Sequence, residues 1–113
     1  MPRFVILEHD FPATHWDLML ETGSVLRTWR LEQIPETGKA IKAEASFDHR
    51  LIYLDYEGPI SGGRGHVRPW DGGSFNLESD AADQIVLHLS GERVQGRAEL
   101  AKTTDGSWIF RLI

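Results

Sequence analysis

Short runs in which apolar and polar residues alternate, each closed by turn residues, dominate this chain. Successive side chains of a strand point to opposite faces, so a period of two marks a core face and an opposing face. Val94, Gly96, Ala98 and Leu100 alternate with Gln95, Arg97, Glu99 and Ala101, and Leu87 and Leu89 oppose Val86 and His88. Between His15 and Glu21 the same period separates a core face of Trp16, Leu18 and Leu20 from a face of His15, Asp17, Met19 and Glu21. The pattern predicts strands over Arg3–His9, His15–Thr22, Ser24–Leu31, Ala40–Phe47, Gly65–Trp70, Gly73–Leu77, Ile85–Leu89, Glu92–Ala101 and Trp108–Leu112. Thr22-Gly23, Asp71-Gly72-Gly73, Ser90-Gly91 and Asp105-Gly106 read as the turns between them. Glu32 to Lys39, with Pro35 and Gly38, reads as a loop, and Ser79-Asp80-Ala81-Ala82-Asp83 as the cap of a single helical turn.

So many consecutive hairpins leave exposed edges unless the sheet closes on itself. The expected fold is therefore all-β: a small closed or nearly closed antiparallel β-barrel with one short helical turn. At 113 residues the chain is expected to form one domain, residues 1–113, with a single core and no need of staples. A polar inner or concave face is expected to hold His15, Asp17 and Glu21. Trp16, Trp29, Trp70 and Trp108 read as core aromatics.

Composition narrows the function. The apolar fraction is 41%, and no apolar run approaches the ~20 residues that span a bilayer. Met1 to Glu8 reaches polar residues too early for a secretory leader, so a cytoplasmic protein without membrane contact is expected. The absence of cysteine removes disulfides, thiolate ligands and a cysteine nucleophile. A net charge of −5 argues against a non-specific nucleic-acid coat, which needs a basic surface. A cleft that grips one terminal phosphate is still compatible with it, and the basic residues are mostly arginine, the side chain suited to forked phosphate contacts.

The chemistry concentrates in Glu8-His9-Asp10-Phe11-Pro12-Ala13-Thr14-His15-Trp16-Asp17. Two imidazoles and a carboxylate form a common ligand set for a divalent metal that keeps positions open for substrate. His15-x-Asp17 alone arises often by chance, and its bland reading is a polar strand pair. His9, just upstream across a Pro12-containing turn, makes the signal more specific; alone it would read as a turn residue. A distant His66 or His88 in place of His9 would give the facial triad of an iron oxygenase, for which 113 residues leave little room. His66 and His88 otherwise read as structural or exposed.

Further on, Phe47-Asp48-His49-Arg50-Leu51-Ile52-Tyr53-Leu54-Asp55-Tyr56-Glu57-Gly58 adds a third histidine with a tyrosine four residues later. Here the sequence resembles the 3'-phosphoesterase domain family of bacterial and archaeal DNA ligase D, including its stand-alone relatives. That family's first motif, His-Asp-Ala-Arg-Arg-Leu-His-Tyr-Asp-Phe-Arg-Leu-Glu, is similar at His9, Asp10, His15, Trp16, Asp17, Leu20 and Glu21, with the same spacing. Its second motif, Glu-Asp-His-Pro-Leu-Asp-Tyr-x-Asp-Phe-Glu-Gly, is similar at Asp48, His49, Leu51, Tyr53, Asp55, Tyr56, Glu57 and Gly58. Val25, Leu26 and Trp29, then Trp70-Asp71 and Gly73, match shorter family segments, so the resemblance covers most of the chain.

The resemblance implies a small β-barrel with a Mn²⁺ site, or a site for another divalent metal, held by His9, His15 and Asp17. It implies a hydrolase of DNA repair that removes a terminal ribonucleotide and then a 3'-phosphate from the 3' end of DNA or RNA-tipped DNA. Ligase or polymerase partners follow from the same likeness. His49 and Tyr53 would face the scissile phosphate, and Glu21 would orient a ligand or pair with an arginine. On the bland readings His49 caps a loop carbonyl and Tyr53 is a packed strand residue.

The chain departs from the family at several points. Met19 stands where the family has an arginine on the same strand face as the aspartate, and methionine cannot fork onto a phosphate. The Ser61–Gly65 connection is shorter than in the family. Arg30, Arg64 or Arg68 is the candidate substitute. Two functions follow: a metal-dependent 3'-phosphoesterase, or a catalytically degenerate metal- or phosphate-binding module of the same fold.

Overall fold

The computed structural model describes residues 1–113. Nine strands alternate along the chain: β1 (Arg3–His9), β2 (His15–Thr22), β3 (Val25–Leu31), β4 (Ala40–Arg50), β5 (Gly58–Pro59), β6 (His66–Asp80), β7 (Gln84–Gly91), β8 (Gln95–Lys102) and β9 (Trp108–Leu112). A 3₁₀ turn over Leu51–Asp55 follows β4. Every strand ladder is antiparallel, in the order β1-β2-β3-β4-β9-β8-β7-β6, and β6 pairs back onto β1 to complete a ring. β5 adds a two-residue rung beside β6. Closure leaves the long strands few unpaired backbone groups, which is the advantage the hairpin-rich sequence anticipates.

The ring closes through the length of β6. Its first half pairs with β1, from His9↔Val67 to Arg3↔Ser74, and its second half with β7, from Gly73↔Gly91 to Asp80↔Ile85. The sequence pattern divides this strand in two and reads Asp71-Gly72-Gly73 as a turn; the structure runs these residues within one 15-residue strand, paired with Ile6, Val5 and Phe4, just past a register shift at Trp70. The Asp71 carboxylate explains the difference. It is buried and accepts the backbone N–H groups of Gly72, Glu92, Arg93 and Val94. A Cβ on Gly73 would collide with the Ser90 carbonyl, and one on Gly91 with Asp71 itself. These glycines permit close approach of strands rather than a reversal of the chain.

Asp71 also holds residues 92–94 in a turn, so β8 begins at Gln95 rather than at Glu92. The expected helical turn at Ser79–Asp83 is absent. Ser79 and Asp80 complete β6, and Ala81 N–H donates to Gln84 O across the hairpin that follows. Helical structure occurs instead at Leu51–Asp55, with buried Leu54 as its anchor. No helix is long and apolar enough to cross a membrane.

Two apolar clusters fill opposite sides of the sheet. Phe4, Ile6, Leu18, Leu20, Phe110 and Leu100 belong to an 18-residue cluster drawn from every long strand, which packs the inside of the ring. Burying each such side chain contributes about 1.5–3 kcal/mol. The opposite face of β1 and β2 carries Val5, Leu7 and Met19, which pack with Leu26, Val67 and Leu54 in a smaller cluster. The 3₁₀ turn thus folds over the outside of the ring.

Candidate metal centre

The β1–β2 register sets His9 opposite His15 and Leu7 opposite Asp17, so the pleat places both histidines and the aspartate on one face. That face is the outer one. Of the expected inner or concave face, the inner alternative does not hold, because apolar side chains occupy the lumen. The cavity forms outside, between the sheet, the end of β4, the 3₁₀ turn and the loop that leads into β6.

One ligating atom from each of His9, His15 and Asp17 lies within 4.8 Å of the others. His15 Nε2 is 3.3 Å from Asp17 Oδ1, and His9 Nδ1 is 3.6 Å from Asp17 Oδ2. Backbone carbonyls fix both neutral tautomers. His15 Nδ1 lies 2.9 Å from Ala13 O, and His9 Nε2 lies 2.8 Å from Arg64 O. A carbonyl only accepts, so these nitrogens carry the hydrogens, leaving lone pairs on His15 Nε2 and His9 Nδ1. His15 and Asp17 are buried, and His15 Nε2 has no hydrogen-bond partner. Two lone pairs and a carboxylate converging without a proton between them suit a divalent cation, and carbonyls orienting the far side of each imidazole are the usual outer support.

Beside the cluster lies a cavity of about 310 Å³, with Asp17, Met19, Arg30, His49, Tyr53 and Arg64 in its wall. His49 comes from β4, which runs past the expected end at Phe47 to Arg50. Thr28 O–H donates to Leu26 O at 3.1 Å, so its oxygen accepts from His49 Nδ1 at 2.9 Å. Nε2 is then the free nitrogen of His49. Burial lowers the His49 pKa, against an opposing pull from Asp17, and holds the ring neutral at pH 7. Phe47 stacks on His49 with ring centroids 4.5 Å apart, and Tyr53 meets His49 edge-on at 5.7 Å. Tyr56 in turn packs edge-on against Tyr53, and its hydroxyl donates to Pro59 O.

The structure sets His9, Asp17, His49 and Tyr53 in the wall of one cavity, with His15 buried beside Asp17; Glu21 does not join them. Its carboxylate accepts the Arg3 backbone N–H at 2.8 Å and secures the start of β1, outside the cavity wall. Met19 is 2% exposed and belongs to the outer apolar cluster. Arg68 is tied to Glu8 at 2.7 Å and does not line the cavity. His66 and His88 are exposed, the latter 3.2 Å from Glu78. Sequence reasoning misses Thr28, because its role depends on cross-strand register. It also misses Phe47, whose position just before Asp48-His49 was the available signal.

Fold and geometry define a class: a small all-β protein with a candidate divalent-metal centre beside a cavity that presents arginine and histidine. The chain belongs to the DNA Ligase D 3'-phosphoesterase domain family, whose profile matches residues 7–102. It is 33% identical over 118 residues to the Mycobacterium tuberculosis (strain ATCC 25618 / H37Rv) multifunctional non-homologous end joining DNA repair protein LigD, covering 94% of this chain and 15% of that protein. The LigD proteins of Mycolicibacterium smegmatis and Pseudomonas aeruginosa are each 32% identical, over 95% and 89% of this chain and 16% and 13% of their own length. The chain thus spans only about a seventh of these relatives.

Proposed function

We propose that this protein is a divalent-metal phosphoesterase that trims 3' ends of DNA, removing a terminal ribonucleotide or a 3'-phosphate during end repair. The observation that carries this reading is the convergence of His9 Nδ1, His15 Nε2 and the Asp17 carboxylate beside a cavity that His9 and Asp17 line together with His49 and Arg30. Family membership supports it, as does the role of the LigD relatives in non-homologous end joining.

His9, His15 and Asp17 would hold the metal, manganese being the expected ion. When bound, it would neutralise phosphate charge and lower the pKa of a coordinated water. His49 would exchange a proton with substrate at Nε2, while Thr28 holds its Nδ1. Tyr53 would present its hydroxyl to a non-bridging phosphate oxygen. Phe47 is 70% exposed beside the cavity and would offer a face to the terminal base. A ligase or polymerase would act on the resulting 3'-hydroxyl.

The test uses labelled primer–templates ending in a 3'-phosphate, a 3'-ribonucleotide or a 5'-phosphate, with and without Mn²⁺. Metal-dependent loss of the two 3' modifications, with the 5'-phosphate spared, is expected. The second reading is a catalytically degenerate binding module, favoured by the apolar packing of Met19. It gains if Mn²⁺ binds in a calorimetric titration and no 3' modification is removed.

A further inference from the structure

Four of the nine arginines are tied to acidic side chains, and five are not. Arg3 pairs with Asp55, Arg27 with Asp80, Arg68 with Glu8, and Arg97 with Glu78 and Glu99. Arg30 is different. Its register partners are Asp17 on β2 and Glu44 on β4, yet it closes an ion pair with neither. It is half-buried in the cavity wall, on the same face as the candidate metal ligands. The other arginines in that wall are less suited to the inner cavity. Arg50 is exposed at the end of β4, and exposed Arg64 donates Nε to Ser61 O at 2.8 Å. Met19, the next position of β2 on that face, carries no charge.

A partly desolvated guanidinium without an anion is unfavourable, and its planar fork matches two oxygens of a phosphate. With a divalent ion on Asp17, that carboxylate is neutralised and Arg30 is the cation beside it that has no acidic partner. We infer that Arg30 is the specificity residue of this site: a clamp that selects a terminal phosphomonoester over a hydroxyl. The inference rests on the phosphoesterase reading and names the group that would recognise its substrate.

Binding tests it without turnover. The probe is a duplex ending in a 3'-methylenephosphonate, which keeps the dianion but replaces the scissile oxygen with carbon, compared with the same duplex ending in a 3'-hydroxyl. Fluorescence anisotropy is read on the Mn²⁺-loaded protein. The parent is expected to prefer the phosphonate by roughly 10- to 100-fold, the range that a charge-assisted hydrogen bond supplies. Arg30→Met is expected to collapse that ratio, with Mn²⁺ affinity and Tm unchanged, while Arg111→Met, at an exposed position of β9 outside the cavity, keeps it. If Arg30→Met fails to fold, Arg30→Gln serves in its place. A parent with no preference, or an Arg30 variant that retains the parent's ratio, overturns the inference. Trimming assays run separately. An Arg30 variant that trims at the parent rate removes the clamp and leaves the phosphoesterase reading standing; a ratio that Arg30→Met collapses, in a protein whose parent form does not trim, does the reverse.

Discussion

At the scale of single residues, the account depends on which nitrogen each histidine offers. Carbonyl acceptors at Ala13 and Arg64 settle His15 and His9, and Thr28 settles His49. Thr28→Val removes the hydroxyl with little change in volume and leaves His49 Nδ1 without an acceptor. Trimming is expected to slow by roughly tenfold, since misplacing one proton-transfer group forfeits part of a 10²–10⁴ contribution. Mn²⁺ affinity by calorimetry is expected to stay at the parent value. A second expectation concerns acid. The folded pKa of His49 lies below its ordinary 6.5, with burial as the main cause. Below pH 6.5 the unfolded chain therefore takes up a proton that the folded protein resists, and stability falls as pH drops toward the folded pKa. Thermal melts of metal-free protein between pH 7 and pH 5 are expected to show this loss, and His49→Gln to lessen it. The proximity of His9, His15 and Asp17 was legible because strand alternation and spacing are local, whereas His49 and Tyr53 were singled out by the resemblance to the family's second motif. Thr28 and Arg30 were harder: their places depend on the β2–β3 register, Met19 against Thr28 and Asp17 against Arg30.

At the scale of elements, β6 is where local pattern and tertiary structure diverge most. Asp-Gly-Gly is a strong turn signal, yet Asp71 draws four N–H groups to its carboxylate, and the strand continues through a bulge. A residue whose side chain organises a distant turn cannot be recognised from its neighbours in sequence. Asp71→Ala would leave those N–H groups without their shared acceptor. It is expected to destabilise the fold by on the order of 3 kcal/mol, given 1–3 kcal/mol for each buried group left unsatisfied and incomplete additivity. A drop in Tm of more than about 10 °C measured by circular dichroism follows for a chain of this length. The helical turn was misplaced for a related reason. Ser79-Asp80 offers a cap, but pairing with Val86 and Ile85 extends the strand, whereas Leu51–Asp55 is held by burial of Leu54.

The whole molecule explains where the site sits. The eight long antiparallel strands were largely legible from alternation, β6 as two pieces and short β5 not at all, and ring closure from the need to cover their edges. The side of the sheet that carries the chemistry was not. Both faces of β1 and β2 are buried, one by the lumen and the other by the segment folded outside, so alternation separates the faces without saying which is inward. Placing the cavity outside suits a small ring whose interior is filled by large side chains. It also bears on ligand binding. With a net charge of −5 and Arg30, Arg50 and Arg64 as the cavity's arginines, few phosphates can be neutralised. DNA-end affinity is expected to fall only gently with salt, with a log–log slope of about −2 to −3. Anisotropy titrations between 50 and 200 mM salt, roughly the span over which phosphate-rich interfaces lose most of their affinity, would read that slope.

The central claim is that His9, His15 and Asp17 form a metal centre that processes 3' ends. Its most direct measurement is phosphate release from a 3'-phosphate duplex as Mn²⁺ is titrated, with parent and His15→Ala side by side. The account predicts release by the parent that saturates with Mn²⁺, and from His15→Ala no more than about 1% of that rate under the same conditions, since a lost ligand exceeds the 10–100-fold effect of outer support. Equal release by the two proteins, or release by the parent undiminished by chelation, would contradict it.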